Sequence, residues 1–231
     1  GMSQNIQIQR GVGASTGGTA FGGAINMQTA NADADPYASL EASVGSWNTR
    51  VFGVNAGSGI NKKGFAFDMS YTQQSTDGYV RNGFADQKSL FLSGSYYGKR
   101  SLVKGIVIIG SQHTGITWNG EEASVLDRNP RYNSAGEYYD ALGHALYYDN
   151  ESDNYNQRRY QLYWTYLLND AWNLKAVVDF THGDGFYEQY KAGNSPDPTS
   201  PSAAAAPPRA ISSPARICLT APIPPTSLPT T

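Results

Sequence analysis

The sequence predicts an all-β chain folded as an antiparallel up-and-down meander, and three observations predict it. Apolar and polar residues alternate with period two through most of residues 37–182. The chain of 231 residues holds 25 Gly and 16 Tyr but only 16% charged residues, against roughly 25% in an average soluble domain. Tight turns alternate with longer connections between the periodic stretches.

The first element lies in residues 1–30. Ile6 and Ile8 alternate with Gln7 and Gln9, a short strand pattern that ends at Arg10. A glycine-rich stretch follows, Gly11-Val12-Gly13-Ala14-Ser15-Thr16-Gly17-Gly18, and then Phe21-Gly22-Gly23-Ala24-Ile25-Asn26-Met27, where Ile25 and Met27 define a second short strand. Seven longer strands are expected after it. Leu40, Ala42 and Val44 share one face of the first, and Phe52, Val54 and Ala56 one face of the second. Phe65, Phe67, Met69 and Tyr71 mark the third, Leu90, Leu92 and Tyr96 the fourth, and Val103, Val107 and Ile109 the fifth. Tyr160, Leu162, Trp164 and Tyr166 mark the sixth, and Trp172, Leu174, Ala176, Val178 and Phe180 the seventh.

The connections predict where such a sheet resides. Asn61-Lys62-Lys63-Gly64, Gly98-Lys99-Arg100-Ser101 and Asn169-Asp170 have tight-turn chemistry, whereas 75–87 and 113–154 are long. Long strands, apolar on one face, with short turns at one end and long loops at the other, fit an outer-membrane barrel. Tyr and Trp near strand ends fit its interfacial girdles. Strands of a soluble sandwich are typically about 5–6 residues, shorter than these. Bacterial barrels have an even strand count and no open edge in lipid, so seven strands predict part of a barrel. No apolar run reaches the length of a membrane-spanning helix.

The remaining composition narrows the function. A net charge of −2 argues against a general attraction to nucleic acid or acidic membranes. One cysteine, Cys218, excludes an internal disulfide framework and a multi-cysteine zinc site. The chain opens without a charged segment followed by an apolar one, so no secretory signal is visible. Pro36 and Pro130 are the only two of 12 prolines outside residues 195–231, and that tail has no aromatic residue. The tail is expected to be disordered, and so abrupt a change of composition is what an altered reading frame produces.

Motifs for catalysis fail on context. Gly13-Ala14-Ser15-Thr16-Gly17 matches a nucleophile elbow, but more glycines and a strand pattern follow it where the elbow needs a helix. Gly11-Val12-Gly13 begins a dinucleotide-like pattern that Gly17 completes one residue late. His113, His144 and His182 have no metal-ligand spacing. The expectation is no enzyme, no cofactor and no metal site. The long loop 113–154 is the candidate binding element, because it concentrates acidic and aromatic residues, among them Trp118, Glu121, Glu122, Tyr138, Tyr139 and Asp140. Such a loop can stack on an aromatic or sugar ligand and attract a cationic one, or it can be a solvated surface loop.

Residues 5–191 resemble the TonB-dependent outer-membrane receptors. Ile6-Gln7-Ile8-Gln9-Arg10-Gly11, a glycine-rich turn and Phe21-Gly22-Gly23-Ala24-Ile25-Asn26-Met27 are similar to the end of that family's plug domain. Asp77-Gly78-Tyr79, Ser93-Gly94-Ser95-Tyr96-Tyr97-Gly98, Asp153-Asn154-Tyr155-Asn156-Gln157 and Tyr187-Glu188-Gln189-Tyr190 resemble Bacteroidetes-type members. The resemblance implies residues 1–30 as the end of the plug, 37–194 as about 7 of 22 barrel strands, and 195–231 as a segment foreign to the family. It implies a fragment of a Gram-negative outer-membrane receptor that takes up a ferric siderophore, or a similar nutrient such as haem or cobalamin, energised through TonB. The TonB-contacting segment and most of the plug are not among these residues, so the fragment alone is not expected to transport. By matching position, Arg10, Gly11, Gly22, Gly23 and Asn26 would form the plug–barrel motif. Arg10 would pair with barrel-wall carboxylates, because an unpaired arginine there is costly, and the glycines would permit tight turns in the lumen. The alternative is a stand-alone surface β-protein or adhesin that binds through loop 113–154.

Overall fold

The computed structural model describes residues 3–10, 23–29, 32–140, 142–190 and 211–220. Strands β1 (Ser3–Arg10) and β2 (Gly23–Thr29) form a two-stranded antiparallel sheet in which Arg10 pairs with Gly23 and Ile8 with Ile25. The meander follows as β3 (Tyr37–Gly45), β4 (Thr49–Gly57), β5 (Phe65–Thr76), β6 (Ala85–Tyr97) and β7 (Ser101–Gly115). A loop then carries the short helix α1 (Ala123–Leu126) and a hairpin of β8 (Glu137–Tyr139) and β9 (Ala145–Tyr147). The meander resumes with β10 (Ser152–Asn169), β11 (Trp172–Glu188) and β12 (Ile211–Thr220).

The main sheet has eight strands in the order β12-β11-β10-β7-β6-β5-β4-β3. All seven expected strands are present and antiparallel to their neighbours. The eighth lies within 195–231, which the sequence led us to expect to be disordered, and only residues 211–220 of that segment are described. Ile211–Thr220 pairs with β11, and the register shifts between Asp179 and Thr181, opposite Pro214 and Ala215. An edge strand with a bulge is where a sheet tolerates a proline, because the missing N–H leaves no ladder bond broken. The Ala-Pro segments on either side lie outside the described residues, as do Gly11 and Gly22.

Connections alternate strictly between the two ends of the sheet. At one end, Gly64 N–H donates to Asn61 O at 2.9 Å, Gly98 N–H to Ser101 O at 2.7 Å, and Asn169 Oδ1 accepts from Trp172 N–H at 2.8 Å. The other end carries 77–84, 116–151 and the tight turn at 46–48. Trp47 (φ 59°) and Asn48 (φ 54°) give that turn two left-handed residues, and Thr49 N–H donates to Ser46 O at 3.2 Å to close it.

The sheet is inside-out relative to a soluble protein. Most of its large exposed hydrophobic residues, including Leu40, Phe67 at 61%, Leu162 at 48%, Trp164 and Phe180, lie on one face. The sheltered face is mixed but richer in polar residues: Ser70, Ser93 and Ser95 are buried there with Ala66, Phe91 and Ile106. Cross-strand hydrogen bonds join several residues of that face, although Ser95 Oγ has no hydrogen-bond partner. Ser70 donates to Asn55 Oδ1 at 2.7 Å, Asn55 Nδ2 to Ser39 at 3.2 Å, and Arg159 Nη2 approaches Asp179 at 2.9 Å.

The apolar band crosses the sheet obliquely. Towards the loop end it stops at Val44, Phe52, Tyr71, Leu90, Ile109, Tyr160 and Phe180 on successive strands of the meander. Val44 pairs with Arg50 rather than Phe52, Phe52 with Gln73 rather than Tyr71, and Ile109 with Arg158 rather than Tyr160. Each mismatch is two residues, always toward the turn end, so the band slips six residues across the six steps from β3 to β11. One residue of about 3.3 Å per strand spacing of about 4.8 Å corresponds to a tilt of about 35°. A level apolar belt on tilted barrel strands requires this slip, and the value is that of closed barrels, about 35–45°.

Candidate ligand-binding rim

The loop end of the sheet is closed by a cap built on Arg81, in the connection between β5 and β6. Its backbone N–H donates to Arg131 O at 2.9 Å, and its guanidinium donates to the carbonyls of Asn133 and, at 2.6 Å, Ala135. The same guanidinium lies 3.5 Å from the centre of the Tyr147 ring. Asn133, buried, returns two bonds of 2.9 Å from Nδ2, to Arg81 O and Ile116 O. Asn82, at φ 57°, donates from Nδ2 to Glu151 O at 2.7 Å. These contacts hold the described residues of this connection on the sheet, where the sequence left a ligand-binding loop and a solvated surface loop as the two readings of 113–154.

Two turn residues make this possible. Gly78 (φ 76°) faces Gly83 so closely that a Cβ would stand 2.1 Å from Gly83 O, so only glycine closes the loop that presents Arg81. Gly136 (φ 71°) has the same role against Glu151 and admits the β8–β9 hairpin.

The six candidate loop residues meet different fates. Trp118 is 58% exposed and stands edge-on to Tyr187 at 6.2 Å. Tyr139 is exposed, and its hydroxyl donates to Glu137. Tyr138 packs on Tyr190 at 4.9 Å. Glu121 is held internally, accepting from Ser134 N–H at 2.6 Å. Glu122 precedes α1 as its N-cap residue, and its carboxylate meets only Ser124, at 3.5 Å. Asp140 closes the hairpin, accepting from Leu142 N–H and His144 N–H at 2.8 Å and from His144 Nδ1 at 2.9 Å. The His144 N–H first, and then its ring, hold the Asp140 carboxyl below its usual range.

The acidic character of the loop is therefore spent in part on its own structure. Burial works to raise the Glu137 carboxyl, but hydrogen bonds from Tyr139, Tyr132 and Tyr147 outweigh it and hold that group low. The same bond pushes the Tyr132 phenol above its ordinary value. Among the described residues no cluster of three or more His, Cys, Asp or Glu is placed to hold a metal. What the cap offers to solvent is aromatic. Trp118 and Tyr187 form one exposed pair, and Trp47 and Tyr79, 5.3 Å apart with Arg131 over the Trp47 ring at 4.8 Å, form another. Tyr79, Arg81, Glu151 and Tyr187 were not singled out as site residues in the sequence. The signal near them is the turn pair Gly78 and Asn82, which marks a shaped loop but not its contacts.

Of the plug motif, Arg10 ends β1 opposite Gly23, and Asn26 stands opposite Gln7 in β2. Their side chains, with Gly11 and Gly22, lie outside the described residues.

No protein-family model and no curated protein matches the chain. Solved structures do. The ferric-catecholate import receptor Fiu from E. coli K12 matches in its open form with a TM-score of 0.61, at 15% identity over 80% of this chain. Its closed form matches at 0.63, with 15% identity over 95% of the chain. The pyoverdine outer-membrane receptor FpvA from Pseudomonas aeruginosa PAO1, bound to pyoverdine, matches at 0.61, with 12% identity over 84%. The chain shares the fold of part of these outer-membrane receptors. The likeness is one of fold, and the chain spans 29%, 31% and 28% of those three chains.

Proposed function

We propose that the chain is part of a Gram-negative outer-membrane receptor for a ferric siderophore, with uptake energised through TonB. The observation that carries this reading is the inside-out sheet: an oblique apolar belt on one face, hydrogen-bonded polar residues on the other, and ordered loops at one end only. A soluble protein does not leave so extended an apolar surface exposed, whereas lipid covers it in an outer membrane. The fold shared with Fiu and FpvA, named as a ferric-catecholate import receptor and a pyoverdine receptor, supports an iron complex over haem or cobalamin. The aromatic rim suits an aromatic ligand, since exposed flat rings stack on catechol rings as they do on a porphyrin, and it does not choose between the two. The Bacteroidetes-like motifs support an origin for the receptor.

Trp118 is the residue on which the rim reading depends most, because its ring is exposed and already stands against Tyr187. In cells whose only receptor is the intact protein, Trp118→Ala is expected to weaken binding of a radiolabelled ferric catecholate by about tenfold, the usual effect of removing an aromatic anchor. Surface expression should be unchanged. Uptake should stop when TonB is deleted while binding persists. Uptake that continues without TonB, or the absence of any ferric-siderophore binding by the wild type, contradicts the proposal.

A further inference from the structure

Glu151 is a buried acid to which the receptor reading gives no task. It is 1% exposed and, with Ile116, is one of the largest fully buried side chains among the described residues. Three segments meet on it. From the β5–β6 connection, Asn82 Nδ2 donates to its backbone carbonyl at 2.7 Å. From the end of β7, Ile116 N–H donates to the same oxygen at 3.2 Å. From the β8–β9 region, Gly136 packs against its Cγ so closely that a Cβ would stand 2.5 Å away.

Its carboxyl group reaches a fourth segment. Oε1 accepts the backbone N–H of Tyr190, where the chain leaves β11, and Oε2 has no hydrogen-bond partner. Tyr190 in turn stacks on Tyr138 at 4.9 Å and lies 5.9 Å from Tyr148. The charges that face Glu151 are Arg81, from the β5–β6 connection, and Glu188, at the end of β11. Arg81 directs its N–H groups at Asn133 and Ala135 carbonyls, and Glu188 is held by the Tyr148 hydroxyl. Neither places a hydrogen-bond donor on Oε2.

We infer that Glu151 is a protonation-dependent latch: neutral, it holds Tyr190, where the chain leaves β11, on the cap, and ionised, it releases it. A buried carboxylate with one neutral donor and no bonded cation is costly, and opening the cap to water removes that cost. Burial pushes the Glu151 carboxyl up from its usual range, the Tyr190 N–H and the Arg81 charge pull it down, and Glu188 pushes it up again, with a net rise. The closed cap therefore keeps a proton that the open one releases. Closure is fully favoured below the open-state value, about 4.3 for a free Glu. It weakens as pH rises, by up to about tenfold per pH unit for one proton, until the closed-state value is passed. Release also undoes the Tyr190 stack on Tyr138, so the aromatic side of the cap opens on the alkaline side.

The test is backbone amide exchange at Tyr190 in the intact receptor in detergent, between about pH 4 and about pH 9, corrected for the intrinsic pH dependence of exchange. Protection is expected to fall across that range in the wild type and to stay flat in Glu151→Gln, which keeps an acceptor but cannot ionise. Infrared difference spectra should show a neutral carboxyl stretch that titrates with the same midpoint and is missing in the variant. Glu188→Gln removes the like charge and should move the fall to lower pH, and it tests the latch without altering Glu151. Protection that does not vary with pH in the wild type, or an unchanged fall in Glu151→Gln, overturns the inference. The readout needs no ligand, so it stands or fails apart from siderophore uptake.

Discussion

Leu162→Arg is expected to cost about 2–4 kcal/mol of folding stability in a bilayer, the effect of a basic residue at the midplane of a barrel's lipid face. Leu162 sits in the middle of the apolar belt between Tyr160 and Trp164, 48% exposed in the isolated chain. Its row of paired residues runs through Gly105 and Gly94 to Phe67. Those two glycines have no side chain on the apolar face that could cover a guanidinium. Ser89→Arg, on the polar face and exposed, should stay within about 0.5 kcal/mol, as surface substitutions do. Urea titration of the intact receptor folded into lipid vesicles measures both. Equal effects of the two substitutions contradict the assignment of the faces.

Arg81→Ala is expected to lower the local stability of the cap by about 3 kcal/mol, the loss of charge-assisted hydrogen bonds to partly buried carbonyls. The carbonyls of Asn133 and Ala135 lose their donor, and Tyr147 loses the guanidinium 3.5 Å from its ring centre. Hydrogen exchange should accelerate at residues 133–136, while the amides of β5 to β7 keep their protection. Arg81→Lys should restore little, since one ammonium cannot reproduce the planar fork. Arg128→Ala, which removes only an exposed bond from Nε to Ser124 O at 3.0 Å, is the control and should leave residues 133–136 unchanged. If it accelerates them as much, Arg81 is not the pin of the cap.

How much of this was legible in the sequence follows from the range of each interaction. Period-two runs such as Phe65–Tyr71 and Tyr160–Tyr166 specify strand, face and register together, because a one-residue slip would turn every side chain to the wrong side. The tight turns at Asn61–Gly64 and Asn169–Asp170 fixed the neighbours in the sheet, and the meander followed. The cap was illegible because its bonds are non-local. Arg81 and Ala135 lie 54 residues apart, and Asn82 and Glu151 69 apart, with no periodicity to link them. The acidic count of loop 113–154 suggested a ligand for cations, yet Glu121, Glu137 and Asp140 are engaged by Ser134, by tyrosines and by His144. Strand β12 was missed because Pro content argued against it, and the bulge opposite Phe180 accommodates Pro214 only once β11 is there to pair with.

The central claim is that one face of this sheet meets lipid and the other does not. Spin labels placed singly at residues 160–167 of the intact receptor in a bilayer test it most directly, with accessibility measured to oxygen, which enters lipid, and to a water-soluble nickel chelate. Oxygen access is expected to peak at 160, 162, 164 and 166, the positions of Tyr160, Leu162, Trp164 and Tyr166, with nickel access favoured at 161, 163 and 165. Nickel access at every position, or no alternation between neighbours, would contradict a membrane-spanning sheet.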